Sequence, residues 1–153
     1  MNVIFTAAAR NSIRRSERGV VGMIVKDAKV PATNPVVIYK EKDIPQDLSD
    51  ANKEQIKLAL IGNDTAPSKI VVYVLDSKAE TYETALKYFE IKKVTWLCCP
   101  TAKADAQTET VATWVKDQRS ERNKVKAVLP ETTADDEGIV NYATKTVKVG
   151  EKE

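Results

Sequence analysis

Three segments of the chain, residues 20–25, 70–75 and 94–99, are apolar at nearly every position rather than at every second one. Successive side chains of a strand point to opposite faces, so such runs belong where a sheet is covered on both sides. The stretches between and after them carry helical periodicity instead. Ala79, Tyr82, Ala85, Leu86 and Phe89 fall on one face of a helix, as do Ile56, Ala59 and Leu60, and then Val111, Ala112, Trp114 and Val115. Buried strands alternating with helices predict an α/β fold: a mainly parallel sheet flanked by helices and joined by right-handed crossovers.

Local signals set the expected boundaries. A turn-rich passage with Pro31 and Asn34-Pro35 precedes a β-prone piece at 36–39, and 43–47 reads as loop. Ser49 is placed to cap a helix with Asp50 in its first turn, and Gly62-Asn63 should end that helix after Ile61. Ser77 and Glu80 have the spacing of a capping box for a second helix. Pro100 closes the third apolar run, a third helix is expected over 104–121, and further strands at 125–129, 139–142 and 146–149. The 153 residues show no repeat, low-complexity tract or internal linker, so residues 19–153 form one domain that can bury roughly two-thirds of its unfolded surface.

The same residues restrict the chemistry. There is no histidine, which removes Ser-His-Asp and Cys-His catalysis, a histidine base and zinc sites with histidine ligands. Cys98 and Cys99 are adjacent, so on a strand they point apart; they read as reduced apolar side chains and not as a disulfide or redox pair. None of the five glycines forms a dinucleotide fingerprint or a phosphate loop, and Gly22, inside the first strand, reads as a point of close approach by a helix or backbone. Glu131, Asp135, Asp136 and Glu137 lack the pattern of a calcium loop and read as a solvated turn. Trp96 and Trp114 fit apolar faces and are expected in the core. A formal charge of +2 does not ask for nucleic acid or an anionic membrane, and no apolar run is long enough to span a bilayer. No enzyme is advertised, and no cofactor or metal is expected.

The N-terminus is different. Val3, Ile4 and Phe5 form a short β-prone run, set apart from the next apolar block by more than a dozen small or charged residues. It lacks the preceding charge and the length of a secretory signal. Arg10, Arg14, Arg15 and Arg18 lend some transit-peptide character, against which a solvated basic connector is the simpler reading. A strand so isolated must pair at long range or with another chain.

From Ser12 to Val21 the chain reads SIRRSERGVV, followed by Val25-Lys26-Asp27. This resembles the opening of contractile tail sheath proteins of phages, defective prophages and phage-tail-like bacteriocins of Gram-positive bacteria. The likeness continues through Ser49-Asp50-Ala51-Asn52-Lys53, Ala59-Leu60-Ile61-Gly62 and residues 67–73. It reappears at Trp114-Val115-Lys116 with Arg119, at Lys126-Ala127-Val128 and at Glu137-Gly138-Ile139-Val140-Asn141.

The resemblance implies a structural subunit that polymerises around an inner tail tube and contracts, driving the tube through a target envelope. Its implied fold is the subtilisin-like sheath domain core, so named for its architecture and not for proteolysis. Its implied partners are other copies of itself, the inner tube protein, and baseplate and tail terminator proteins, in a virion or phage-tail-like particle made in the host bacterial cytoplasm. Residues 1–18 become an extended arm and basic connector, with Asn2, Val3, Ile4, Phe5 and Thr6 adding a strand to a neighbouring subunit's sheet. Arg14, Arg15 and Arg18 are then expected to meet acidic surface on a neighbour, with Asp135, Asp136 and Glu137 as candidates. Members of that group are about twice this long, so the domain is expected to lack their C-terminal half. The alternative reading is a non-catalytic α/β regulatory or ligand-binding domain, with a pocket at the carboxyl ends of its strands.

Overall fold

The computed structural model describes residues 19–62, 66–121 and 123–142. In chain order these form β1 (Val20–Asp27), β2 (Val36–Ile38), a 3-10 turn (Glu41–Asp43), α1 (Asp50–Ile61) and β3 (Lys69–Asp76). There follow α2 (Glu83–Ile91), β4 (Trp96–Cys98), α3 (Thr108–Ser120), β5 (Lys126–Pro130) and β6 (Ile139–Tyr142). The strands make one six-stranded sheet in the order β2-β3-β1-β4-β5-β6. β1 runs parallel to both β3 and β4, and β4, β5 and β6 continue in parallel. β2 pairs antiparallel with β3 at one edge. The expected α/β fold with a mainly parallel sheet is the fold observed.

Helices cover the sheet from both sides, which is why its central strands are apolar throughout. Val20 and Ile24 of β1 enter one core with Leu97, Ala127 and Leu129, beneath Phe89 of α2 and Val111 and Val115 of α3. Met23 and Val25, the alternate residues, enter a second core with Ile70, Val72 and Val74, beneath Ile56 of α1. Cys99 belongs to the first core and Cys98 packs against the second, so the two thiols point apart as expected. Gly22 explains how close α2 lies: a Cβ there would come within 2.9 Å of the Phe89 ring.

The bounds of α1 match the sequence expectation, and several other boundaries differ. Ser49 is the N-cap of α1 by position, but its side chain makes no capping bond. Gly62 ends that helix with a φ of 66°. Ser77 and Glu80 do not cap α2: the Asp76 side chain accepts the N–H of Lys78, the Asp76 carbonyl accepts that of Ala79, and the resulting turn delays the helix to Glu83. The buried face, Tyr82, Ala85, Leu86 and Phe89, is nonetheless the predicted one. α3 starts at Thr108 and not near 104 because Ala106 takes a left-handed conformation (φ 53°), separating the preceding turn from the helix. The third apolar run contributes only Trp96–Cys98 to the ladder. Ile44 and Leu48, in and beside the expected loop, are core residues. Trp96 and Trp114 are half-buried and not interior: Trp114 flanks the first core, and Lys126 holds its ammonium 5.5 Å from the Trp96 ring centre. The expected arm at residues 2–6, the connector with Arg14, Arg15 and Arg18, and the strand expected at 146–149 lie outside the described residues.

Candidate functional site

In a sheet of this winding, ligands bind beyond the carboxyl ends of the strands where the strand order reverses. Here that point lies at the end of β1, between β3 and β4. The end of β1 places Lys26 and Asp27 on opposite sides of the sheet, and each is committed to a neighbouring segment.

On the α1 side, Asp27 accepts the backbone N–H of Ser49 at 2.7 Å, the Asn52 amide at 2.9 Å and the backbone N–H of Lys29 at 3.3 Å. The Asn52 amide also donates to the Lys26 carbonyl at 2.7 Å. Burial raises the Asp27 pKa, but these hydrogen bonds outweigh it and bring the carboxyl down to about 2. The first turn of α1 is thereby anchored to the sheet.

On the other side, Lys26 reaches Asp105 at 2.9 Å and lies over the Tyr82 ring, 5.7 Å from its centre. The second oxygen of Asp105 accepts the hydroxyls of Tyr82 and, at 2.8 Å, of Thr101. Burial pushes the Tyr82 hydroxyl up and its bond to Asp105 pushes it further. For Asp105, burial acts upward, yet the bonds from Tyr82, Lys26 and Thr101 leave it below the usual carboxylate range. Both carboxylates are held ionised by donors from this chain, an arrangement that ties loops to the sheet and is unsuited to proton transfer near neutral pH. The crevice is thus laced by its own side chains. Three described clefts lie elsewhere: one between α2 and α3, and two at the opposite, amino-terminal ends of the strands. Among the described residues no group of His, Cys, Asp or Glu is arranged to hold a metal ion, and no helix is long and apolar enough to cross a membrane.

The acidic loop after β5 is only partly open. Arg119 of α3 binds Asp136 at 3.3 Å and Glu137 at 3.2 Å, and Lys103 pairs with Glu131. Asp136 also accepts the N–H of Gly138 at 2.7 Å. Asp135 remains exposed. The sequence groups these acids but does not reveal that Arg119, 18 residues upstream of Glu137, folds onto two of them. The outer strands of the described sheet are β2, of three residues, and β6, of four. Val37 of β2 and Val140 and Tyr142 of β6 are exposed.

Fold and crevice together define a doubly wound α/β domain in which the side chains at the end of β1, Lys26 and Asp27, are bonded within the chain. Over nearly all of its length, 99% of the chain, it is homologous to a tail sheath protein of Clostridium phage phiCD119, with 33% identity over 162 aligned residues. The resemblance to tail sheath proteins read from the sequence is borne out by that relative. The chain spans 43% of the relative's length. No family model matches the chain.

Proposed function

We infer that this chain is a structural subunit, or a portion of one, of a contractile phage tail sheath. The observation that carries this reading is homology to a tail sheath protein along nearly the entire chain. The laced crevice at the carboxyl ends of the strands supports it, because a regulatory or ligand-binding domain would use that position. In this reading, copies polymerise around an inner tail tube, between baseplate and terminator proteins, in a virion or phage-tail-like particle assembled in the host bacterial cytoplasm. Contraction drives the tube through a target envelope, and the work comes from repacking between subunits, without a cofactor. Asn2, Val3, Ile4, Phe5 and Thr6 add a strand to the sheet of a neighbouring copy. Backbone hydrogen bonds made in this way join subunits while leaving each domain free to rotate. Arg14, Arg15 and Arg18 make charged contacts with a neighbour. Of the loop acids, Asp135 is open to such contacts, while Asp136 and Glu137 would have to share Arg119.

Electron microscopy of the purified chain, and of the same chain lacking residues 1–9, tests this reading. Rings or tubes from the first, and a folded but non-polymerising product from the second, are the expected results. Persistent small particles from the intact chain would favour the regulatory reading. Unfolding on deletion would mean that the leading segment is a strand of its own domain.

A further inference from the structure

The helical layer carries a groove whose charge is unbalanced. It is a shallow, solvent-open groove of about 650 Å³ between α2 and α3, with Leu86 and Trp114 among its lining residues. Glu83 and Glu90 from α2, with Glu109 and Asp117 from α3, line it against the single ammonium of Lys87. The four carboxylates are exposed, and none joins an ion pair among the described residues. At the rise of an α-helix, Glu83 and Glu90 stand about 10 Å apart and Glu109 and Asp117 about 12 Å.

One segment of the chain has the complementary pattern. Residues 10–18 carry Arg10, Arg14, Arg15 and Arg18 against one acid, Glu17, with Ile13 as their apolar residue. In a helical conformation Arg10, Arg14 and Arg18 share a face and span about 12 Å, the length of the acidic rims. Ile13 matches the apolar lining. Lys69, Lys92 and Lys93 border the cleft beside Val20, so positive charge surrounds the point where the described residues begin. Repulsion there opposes folding back and favours a second molecule.

We propose that residues 10–18 of one copy dock in the acidic α2–α3 groove of another copy. The inference rests on the sheath reading for the presence of a neighbouring copy, but it is tested apart from assembly. A fluorescent peptide of residues 7–18 is titrated into the full chain carrying Arg10→Glu, Arg14→Glu, Arg15→Glu and Arg18→Glu, so that its own segment does not compete. Binding at about 0.05 M salt is expected, weakened about tenfold by adding Glu83→Lys, Glu90→Lys and Asp117→Lys, and weakened again at about 0.5 M salt. Asp135→Lys should leave it unchanged. The substituted side chains of the groove and of Asp135 are exposed, and circular dichroism checks that each variant is folded. Absence of peptide binding, equal binding to the groove-reversed chain, or loss of binding on Asp135→Lys would overturn the groove assignment whatever electron microscopy shows. A chain that binds the peptide through the groove yet never assembles would support the groove assignment and refute only self-assembly of this portion by itself.

Discussion

Replacing Asp27 with asparagine keeps the shape of the side chain and removes the charge that holds the start of α1. The carboxyl ionises near 3.8 in an unconstrained chain and near 2 in the fold, where Ser49, Asn52 and Lys29 donate to it. A group whose folded pKa is depressed adds stability above its unfolded pKa and loses it as the pH falls toward the folded one. The difference corresponds to about 2 kcal/mol at neutral pH, fading between roughly pH 5 and pH 2. The introduced amide would in addition turn an N–H toward donors, so the loss at pH 7 should be no smaller than this. Urea denaturation followed by circular dichroism at about pH 7, 5, 3.5 and 2.5 would measure it. For a chain of this size the midpoint of Asp27→Asn should lie about 1 M below the parent at pH 7. That gap should narrow steadily on acidification. Other carboxylates, Asp105 included, titrate in both proteins and cancel in the comparison. A gap that stays constant with pH, or equal stability at pH 7, would refute the claim that Asp27 is an ionised anchor.

Two further outcomes follow from packing. Gly22→Ala puts a methyl within 2.9 Å of the Phe89 ring and should cost about 1–3 kcal/mol in thermal or urea denaturation, with partial recovery in Gly22→Ala/Phe89→Leu; a neutral Gly22→Ala would show that α2 is free to move outward. Burial raises both thiol pKa values, Cys99 the more strongly. Ellman's reagent at about pH 8 should therefore modify Cys98 slowly in the folded chain and Cys99 only on unfolding, and equal rates would contradict their placement on opposite faces.

The parts of this architecture that are legible in the sequence are those set by side-chain periodicity. Continuous apolar runs identify β1 and β3 as strands covered on both sides and β4 as a strand, although its second face is only half-buried, and spacing finds the inward face of α2 although it misplaces the start. The capping-box reading at Ser77 and Glu80 fails because Asp76 competes for the same turn through a backbone contact that depends on where β3 ends. Ile44 and Leu48 are hidden because two isolated apolar residues between elements have no period to betray them. The polar lacing of the crevice joins Lys26 to Asp105 across 79 residues and Asp27 to Asn52 across 25. Only the strand order brings such pairs together, and strand order is set by crossovers that leave no mark in local sequence. The acidic groove is illegible for the same reason: Glu83 and Glu90 belong to one helix, Glu109 and Asp117 to another, and neither pair is unusual alone.

Among the described residues, the two halves of the sheet are unequally protected. β1 and β3 lie between α1 on one side and α2 with α3 on the other, and Ile24, Val25, Ile70 and Val72 have no exposed surface. In β4, β5 and β6 the residues facing α2 and α3, such as Leu97, Ala127 and Leu129, are equally buried. On the opposite face Trp96, Cys98 and Val128 are only half-buried, and Val140 and Tyr142 are exposed. Parallel strands are stabilised by cover on both faces, so backbone opening should be easiest where one cover is thin. Amide hydrogen exchange of the 153-residue chain should therefore be slowest in β1 and β3, intermediate in β4 and β5, and fastest in β6. Exchange in β6 as slow as in β1 would mean that this face is already covered in solution, and the unequal-sheet argument would fall.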